Sequence, residues 1–100
     1  MSAAEEKIEI ENINTPGRTT RVNRAKYEAM RAALLSVLPR AEPGAIVTDA
    51  KTALLPLLPE TLFPQGKTAG WWLKAVQLDL EAKGIIARAA TKPVRLHQTA

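Results

Sequence analysis

The chain has 100 residues, 46% of them hydrophobic, no cysteine and a formal net charge of +4. That length is one small domain with enough apolar surface for a core, which excludes a disordered chain. The missing cysteine excludes disulfides, thiolate metal sites and thiol nucleophiles.

In chain order, KIEIENI at 7–13 alternates Ile8 and Ile10 with Glu9 and Glu11, the period of a half-buried strand. Asn14-Thr15-Pro16-Gly17 makes a turn, and RTTRV at 18–22 reads as the return strand of a β-hairpin. Asn23 is a good N-cap for a first helix over about 24–38, with Tyr27, Met30, Leu34 and Val37 at helical spacing and Pro39 as the stop. After a loop at 40–44, Thr48 is the expected cap of a short second helix, with Ala50, Ala53, Leu54 and Leu57 on one face. Pro56 ends or kinks it near residue 55, and the loop 58–66 tucks Leu62 and Phe63 inward. A third helix runs from about Lys67 to Lys83 and stops at Gly84. Ile85–Arg88 and Val94–His97 then read as the strands of a second hairpin with its tip at Ala89–Pro93. Residues 1–6 are expected to form a disordered acidic arm, residues 7–97 the domain, and 98–100 a frayed tail.

Three helices followed by a two-stranded hairpin is the chain order of an α+β winged helix-turn-helix domain. The N-terminal hairpin is an addition to that plan.

On a wheel of about 100° per residue, the third helix carries two apolar arcs. Ala69, Trp72, Leu73, Val76 and Leu80 form one; Trp71, Ala75, Leu78 and Ala82 form the other. Gly70, Lys74, Gln77 and Glu81 make a polar stripe between them. The adjacent tryptophans therefore serve different faces. Trp72 is the core anchor, worth roughly 3 kcal/mol if fully buried. The Trp71 face is expected under the hairpins, through Ile8, Ile10 and Val22, with a second copy of the chain as the alternative cover.

The charge falls in blocks. Residues 1–12 hold four Glu and one Lys, whereas 13–40 hold six basic residues and one acid. Residues 41–66 are net acidic, and 67–100 hold six basic residues and two acids. Two basic blocks suit a phosphate-bearing partner if the fold joins them, and are otherwise a solvated surface. In the helix-turn-helix mode the third helix enters the major groove. Lys74 and Gln77 are then the candidate base readers, with Lys67 and Thr68 on a phosphate at the helix start. Arg88, Lys92 and Arg95 would hold phosphates or a minor groove from the hairpin. Trp71, Trp72, Val76, Leu78 and Leu80 are the candidate core and interface residues, and a homodimer through Trp71, Ala75 and Leu78 or through the N-terminal hairpin is the competing use.

Gly66-Lys67-Thr68 lacks the upstream glycine of a phosphate loop, since Thr61 stands there, and reads as a helix start. His97 is the only histidine and has no companion ligands in sequence. No nucleophile–base pattern appears, so the expectation is a protein that is not an enzyme and takes no cofactor or metal. The N-terminus lacks the pattern of a secretory signal, and the apolar runs, such as TALLPLLPE, are short and broken by proline. A cytoplasmic protein without membrane partners is expected.

NTPGR at 14–18, YEAMRAALL at 27–35, LFP at 62–64 and GWWLKAVQLDLEAKG at 70–84 together resemble a small bacterial family known only as a domain of unknown function. The resemblance spans about residues 7–97. It implies bacterial origin and a self-contained winged-helix-like domain, and brings no activity, ligand or catalytic residue. Fold alone does not fix function. The sequence thus offers two uses: a duplex-DNA-binding, regulatory protein working through the third helix and a basic wing, or a protein-interaction and dimerisation module on the same scaffold.

Overall fold

The alternating segment at the N-terminus folds, in a computed structural model that describes residues 6–99, as strand β1, Lys7–Glu11. It pairs antiparallel with β2, Thr19–Asn23, with Ile8 opposite Val22 and Ile10 opposite Thr20. Ile10 and Val22 are buried and Ile8 half-buried, while Glu9 and Glu11 face out. Residues 1–5 of the expected acidic arm lie outside the described residues; Glu6 joins the hairpin by accepting the Arg24 N–H at 2.9 Å.

Asn23 ends β2 and caps α1, Arg24–Val37, its Oδ1 accepting the Lys26 N–H at 3.0 Å. α1 buries Tyr27, Met30, Ala33 and Leu34 along one stripe. A two-residue strand, β3, Ala45–Ile46, follows and runs directly into α2, Val47–Leu54. Thr48 is therefore not the cap: Ile46 takes that position and the Val47 N–H donates to Val94 O at 3.3 Å, so the chain passes from strand pairing into the helix two residues earlier. At Pro56 the helix tightens into a 3-10 turn, Leu55–Leu57. That change of pitch rotates the side chains out of phase. Leu57, beyond that change, stands 54% exposed and off the expected face; within α2 itself Ala50 and Leu54 enter the core and Ala53 is exposed.

Phe63 is buried and Leu62 half-buried ahead of a second 3-10 turn, Pro64–Gly66. α3 spans Ala69–Ala82, starting two residues later than the periodicity suggests because Thr68 takes a left-handed conformation with φ 63°. Its C-terminus closes through Gly84, at φ 73°. The Ile85 N–H donates to Leu80 O at 2.9 Å and the Gly84 N–H to Glu81 O at 3.1 Å, the double closure that favours glycine.

β4, Ile86–Ala89, and β5, Arg95–Gln98, pair antiparallel with Ala87 opposite His97. β3 adds to the far side of β5, giving the order β3-β5-β4. Gly44 permits this junction, since a Cβ there would lie 2.1 Å from Leu96 O. Of the expected frayed tail, residues 98 and 99 are tied to the fold and residue 100 lies outside the described residues. The Gln98 amide donates to Leu35 O and Leu38 O at 2.9 and 2.7 Å, and the Thr99 N–H to Ile85 O at 3.0 Å.

Among the described residues the architecture is α+β, three helices and two small antiparallel sheets. Met30, Leu34, Leu54, Phe63, Val76, Leu80, Ile86 and Leu96 form the centre of one core. Trp72 closes one side of it, edge-on to Phe63 with ring centroids 6.5 Å apart. Among the described residues, no helix is long and apolar enough to cross a membrane.

Candidate nucleic-acid interface

The two halves of α3 have different surroundings. In the C-terminal half Asp79 is fully buried. Its carboxylate accepts the Tyr27 hydroxyl at 2.5 Å and the Glu11 N–H at 2.8 Å, and it pairs with Lys83. The Ile13 N–H adds a bond to Leu78 O at 3.3 Å. β1 is thereby fastened along α3, which covers Leu78 and half-covers Ala75. Burial, and then the Asp79 carboxylate, push the Tyr27 hydroxyl pKa well above the ordinary tyrosine value.

The hairpin cover stops one turn short of Trp71. That side chain is 59% exposed, against the expectation that the hairpins would cover it. Its ring leans edge-on against Trp72, with centroids 5.1 Å apart, so one tryptophan props the other at the surface.

Beside Trp71, the N-terminal half of α3 opens onto a cleft of about 360 Å³ lined by Val47, Lys51, Gly70, Leu73, Lys74, Gln77, Arg88 and Val94. α2, α3 and the C-terminal hairpin each contribute a wall. Val47 and Lys51, four apart, share a face of α2; Gly70 and Lys74 do the same on α3. The absence of a side chain at Gly70 leaves room for Lys51, whose Nζ would sit 3.4 Å from a Cβ there.

The cleft unites three of the candidate residues, Lys74, Gln77 and Arg88, and adds Lys51, which the sequence reading passed over. Lys74 is exposed as expected. Gln77 is not available as an adenine reader: it is 3% exposed, and its amide donates to Glu81 Oε2 at 2.8 Å. Glu81, expected on the open stripe, has a side chain only 7% exposed and binds Arg88 through two bonds of 2.9 and 3.0 Å. That contact raises the Arg88 pKa and keeps the guanidinium charged. The polar stripe is thus folded inward below Lys74 by an Arg88–Glu81–Gln77 chain.

The other candidates lie outside the cleft lining. Lys67 and Thr68 are exposed ahead of α3, with the Thr68 hydroxyl donating to Lys67 O at 2.5 Å. Lys92 is exposed between β4 and β5. Arg95 is half-buried and donates to Gly44 O at 3.2 Å, which ties β5 to the loop before β3. The core candidates Trp72, Val76, Leu78 and Leu80 are buried. Neither Lys51 nor Asp79 carries a sequence signal of its role, because each depends on a neighbour remote in the chain.

A family model described as a family of unknown function, DUF6958, matches residues 7–96. The chain belongs to that family. No curated protein and no solved structure matches it. The DUF6958 match runs from β1 into β5, so the N-terminal hairpin and all three walls of the cleft are within the family's unit.

Proposed function

We propose that this protein binds duplex DNA with a winged helix-turn-helix domain, using the open N-terminal half of α3 and the β4–β5 hairpin as its wing. One observation carries the reading: Lys51, Lys74 and Arg88, from three different elements, converge on one cleft at the open face of α3. The short strand between α1 and α2 supports it too, because it completes the order helix, strand, helix, helix, strand, strand with the wing hairpin extended to three strands. Lys67 ahead of α3 and Lys92 between β4 and β5 are exposed and supply two further cations for a phosphate backbone.

With Gln77 withdrawn, Lys74 is the only cation that α3 itself contributes to the cleft. Backbone contacts then dominate over base contacts, and the binding is weakly selective for sequence. The test is titration of the intrinsic fluorescence of the Trp71–Trp72 pair with mixed-sequence duplex at increasing salt. Four lysine–phosphate contacts give a log–log slope of about −3 to −4. Lys51→Glu with Lys74→Glu abolishes binding and leaves thermal unfolding unchanged. Absence of binding at low salt ends the reading.

A second reading, a protein-interaction or dimerisation module, draws on the exposure of Trp71 beside a groove lined by Ile10, Asn12, Thr20, Ala75 and Leu78. Sedimentation mass at micromolar concentration tests its dimeric form; a dimer lost in Trp71→Ala supports it, and a monomer counts against it.

A further inference from the structure

The same cleft has properties that a DNA backbone does not need. Its floor and walls include Val47, Leu73 and Val94, apolar side chains from α2, α3 and the segment entering β5. A volume of about 360 Å³ falls within the size range of small-molecule sites, which combine apolar walls with a few converging polar groups. A phosphodiester chain tracking a surface fills no such space.

The polar groups are specific in kind. Lys51 and Lys74 make no ion pair among the described residues, while Arg88 is held by Glu81. The cleft therefore presents two uncompensated positive charges. Gln77 supplies the complementary function. Its amide nitrogen is committed to the Glu81 carboxylate, which fixes the orientation of the side-chain amide. Its oxygen has no hydrogen-bond partner among the described residues, although the side chain is almost wholly buried. It is the one side-chain acceptor on a lining whose other polar side chains, Lys51, Lys74 and Arg88, are donors only. That oxygen is not sealed away from solvent, so a ligand donor seated in the cleft can reach it.

We propose that this cleft binds a small organic acid: an anionic group for Lys51 and Lys74, an apolar ring or branched chain against Val47, Leu73 and Val94, and a hydroxyl or N–H for the Gln77 oxygen. Binding needs no DNA. Because it occupies Lys51 and Lys74, the bound acid competes with duplex for them and serves as a natural effector if DNA binding holds.

The experiment uses the full chain, ¹⁵N-labelled, titrated with 4-hydroxyphenylacetate. Three partial probes accompany it: phenylacetate, which lacks the donor; 4-hydroxyphenylethanol, which lacks the charge; and acetate, which lacks the apolar body. The expected result is saturable shifts at Lys51, Gly70, Leu73 and Lys74. Affinity falls at least about tenfold for the alcohol and for acetate, and about threefold for phenylacetate. Gly70→Leu fills the cleft and keeps every cation; it replaces a glycine within a helix by a better helix former, so folding is preserved. It loses the acid by at least about tenfold.

Equal binding of acetate and 4-hydroxyphenylacetate would mean charge alone is recognised and would overturn the proposal. So would equal binding of the alcohol, shifts centred elsewhere, or no saturation at millimolar acid. Failure of the wild type to bind duplex, with the acid titration intact, removes the DNA reading and leaves this one standing.

Discussion

The two ends of α3 show how one helix is divided between structure and contact. At its C-terminal end Asp79, Tyr27, Lys83 and the Glu11 amide satisfy one another inside the protein, and β1 is bonded along the helix. At its N-terminal end Gly70, Trp71 and Lys74 are exposed beside a basic cleft. The sealed end concerns folding, because its polar groups have no capacity left over. The open end carries unspent capacity: unpaired lysines, an unpaired amide oxygen and an exposed indole. Adjacent residues fall on opposite sides of this division, as Trp71 and Trp72 do.

Substitutions test the division most sharply at those tryptophans. Trp72→Ala should cost about 3–5 kcal/mol, since it empties a site packed on Phe63 and the core. A loss in urea unfolding of under 1 kcal/mol would show that Trp72 is not the anchor. Next, Asp79→Ala should cost about 2–4 kcal/mol by stranding the Tyr27 hydroxyl and the Glu11 N–H. It should also raise amide exchange across β1 and leave the cleft unaltered. Unchanged exchange in β1 would mean the hairpin is held by its apolar contacts alone.

Tyr27→Phe is a smaller change, about 1 kcal/mol at neutral pH. Its pH dependence carries the information. The folded state raises the Tyr27 pKa above its unfolded value of about 10, so it favours the neutral hydroxyl. That contribution is complete below about pH 10 and is lost as pH rises beyond it. The stability gap between wild type and Tyr27→Phe should therefore narrow above about pH 10; a constant gap would place the hydroxyl outside the buried network. Trp71→Ala should be the mildest, costing less than about 1 kcal/mol through its edge contact with Trp72. A larger cost would mean that the open end is structural too.

The sequence makes much of this fold legible. Period-two alternation locates β1, the Asn23 cap and Pro39 bracket α1, and Gly84 ends α3 as its conformation requires. The wheel also separates the tryptophans into different environments. Other features depend on contacts that no local pattern encodes. β3 has two residues, too few for any periodicity, and exists because Gly44 lets the backbone approach Leu96. The left-handed Thr68 delays α3, and the 3-10 turn at Pro56 turns Leu57 outward. Gln77 and Asp79 mislead for a shared reason. A hydrophobicity pattern scores both as surface residues, yet each is buried with partners from remote segments or within its own network. Of the candidate site, Lys74 and Arg88 emerge from spacing and charge; Lys51 does not, because its place in the cleft depends on how α2 packs beside α3.

The most direct measurement is a residue-by-residue map of amide shifts when labelled protein is titrated with duplex DNA at low salt. The account predicts saturable shifts at Lys51, Gly70, Lys74, Arg88 and Lys92, with Tyr27, Leu78 and Asp79 unmoved. Shifts centred on the sealed end and the N-terminal hairpin, or no shifts at all, would contradict it.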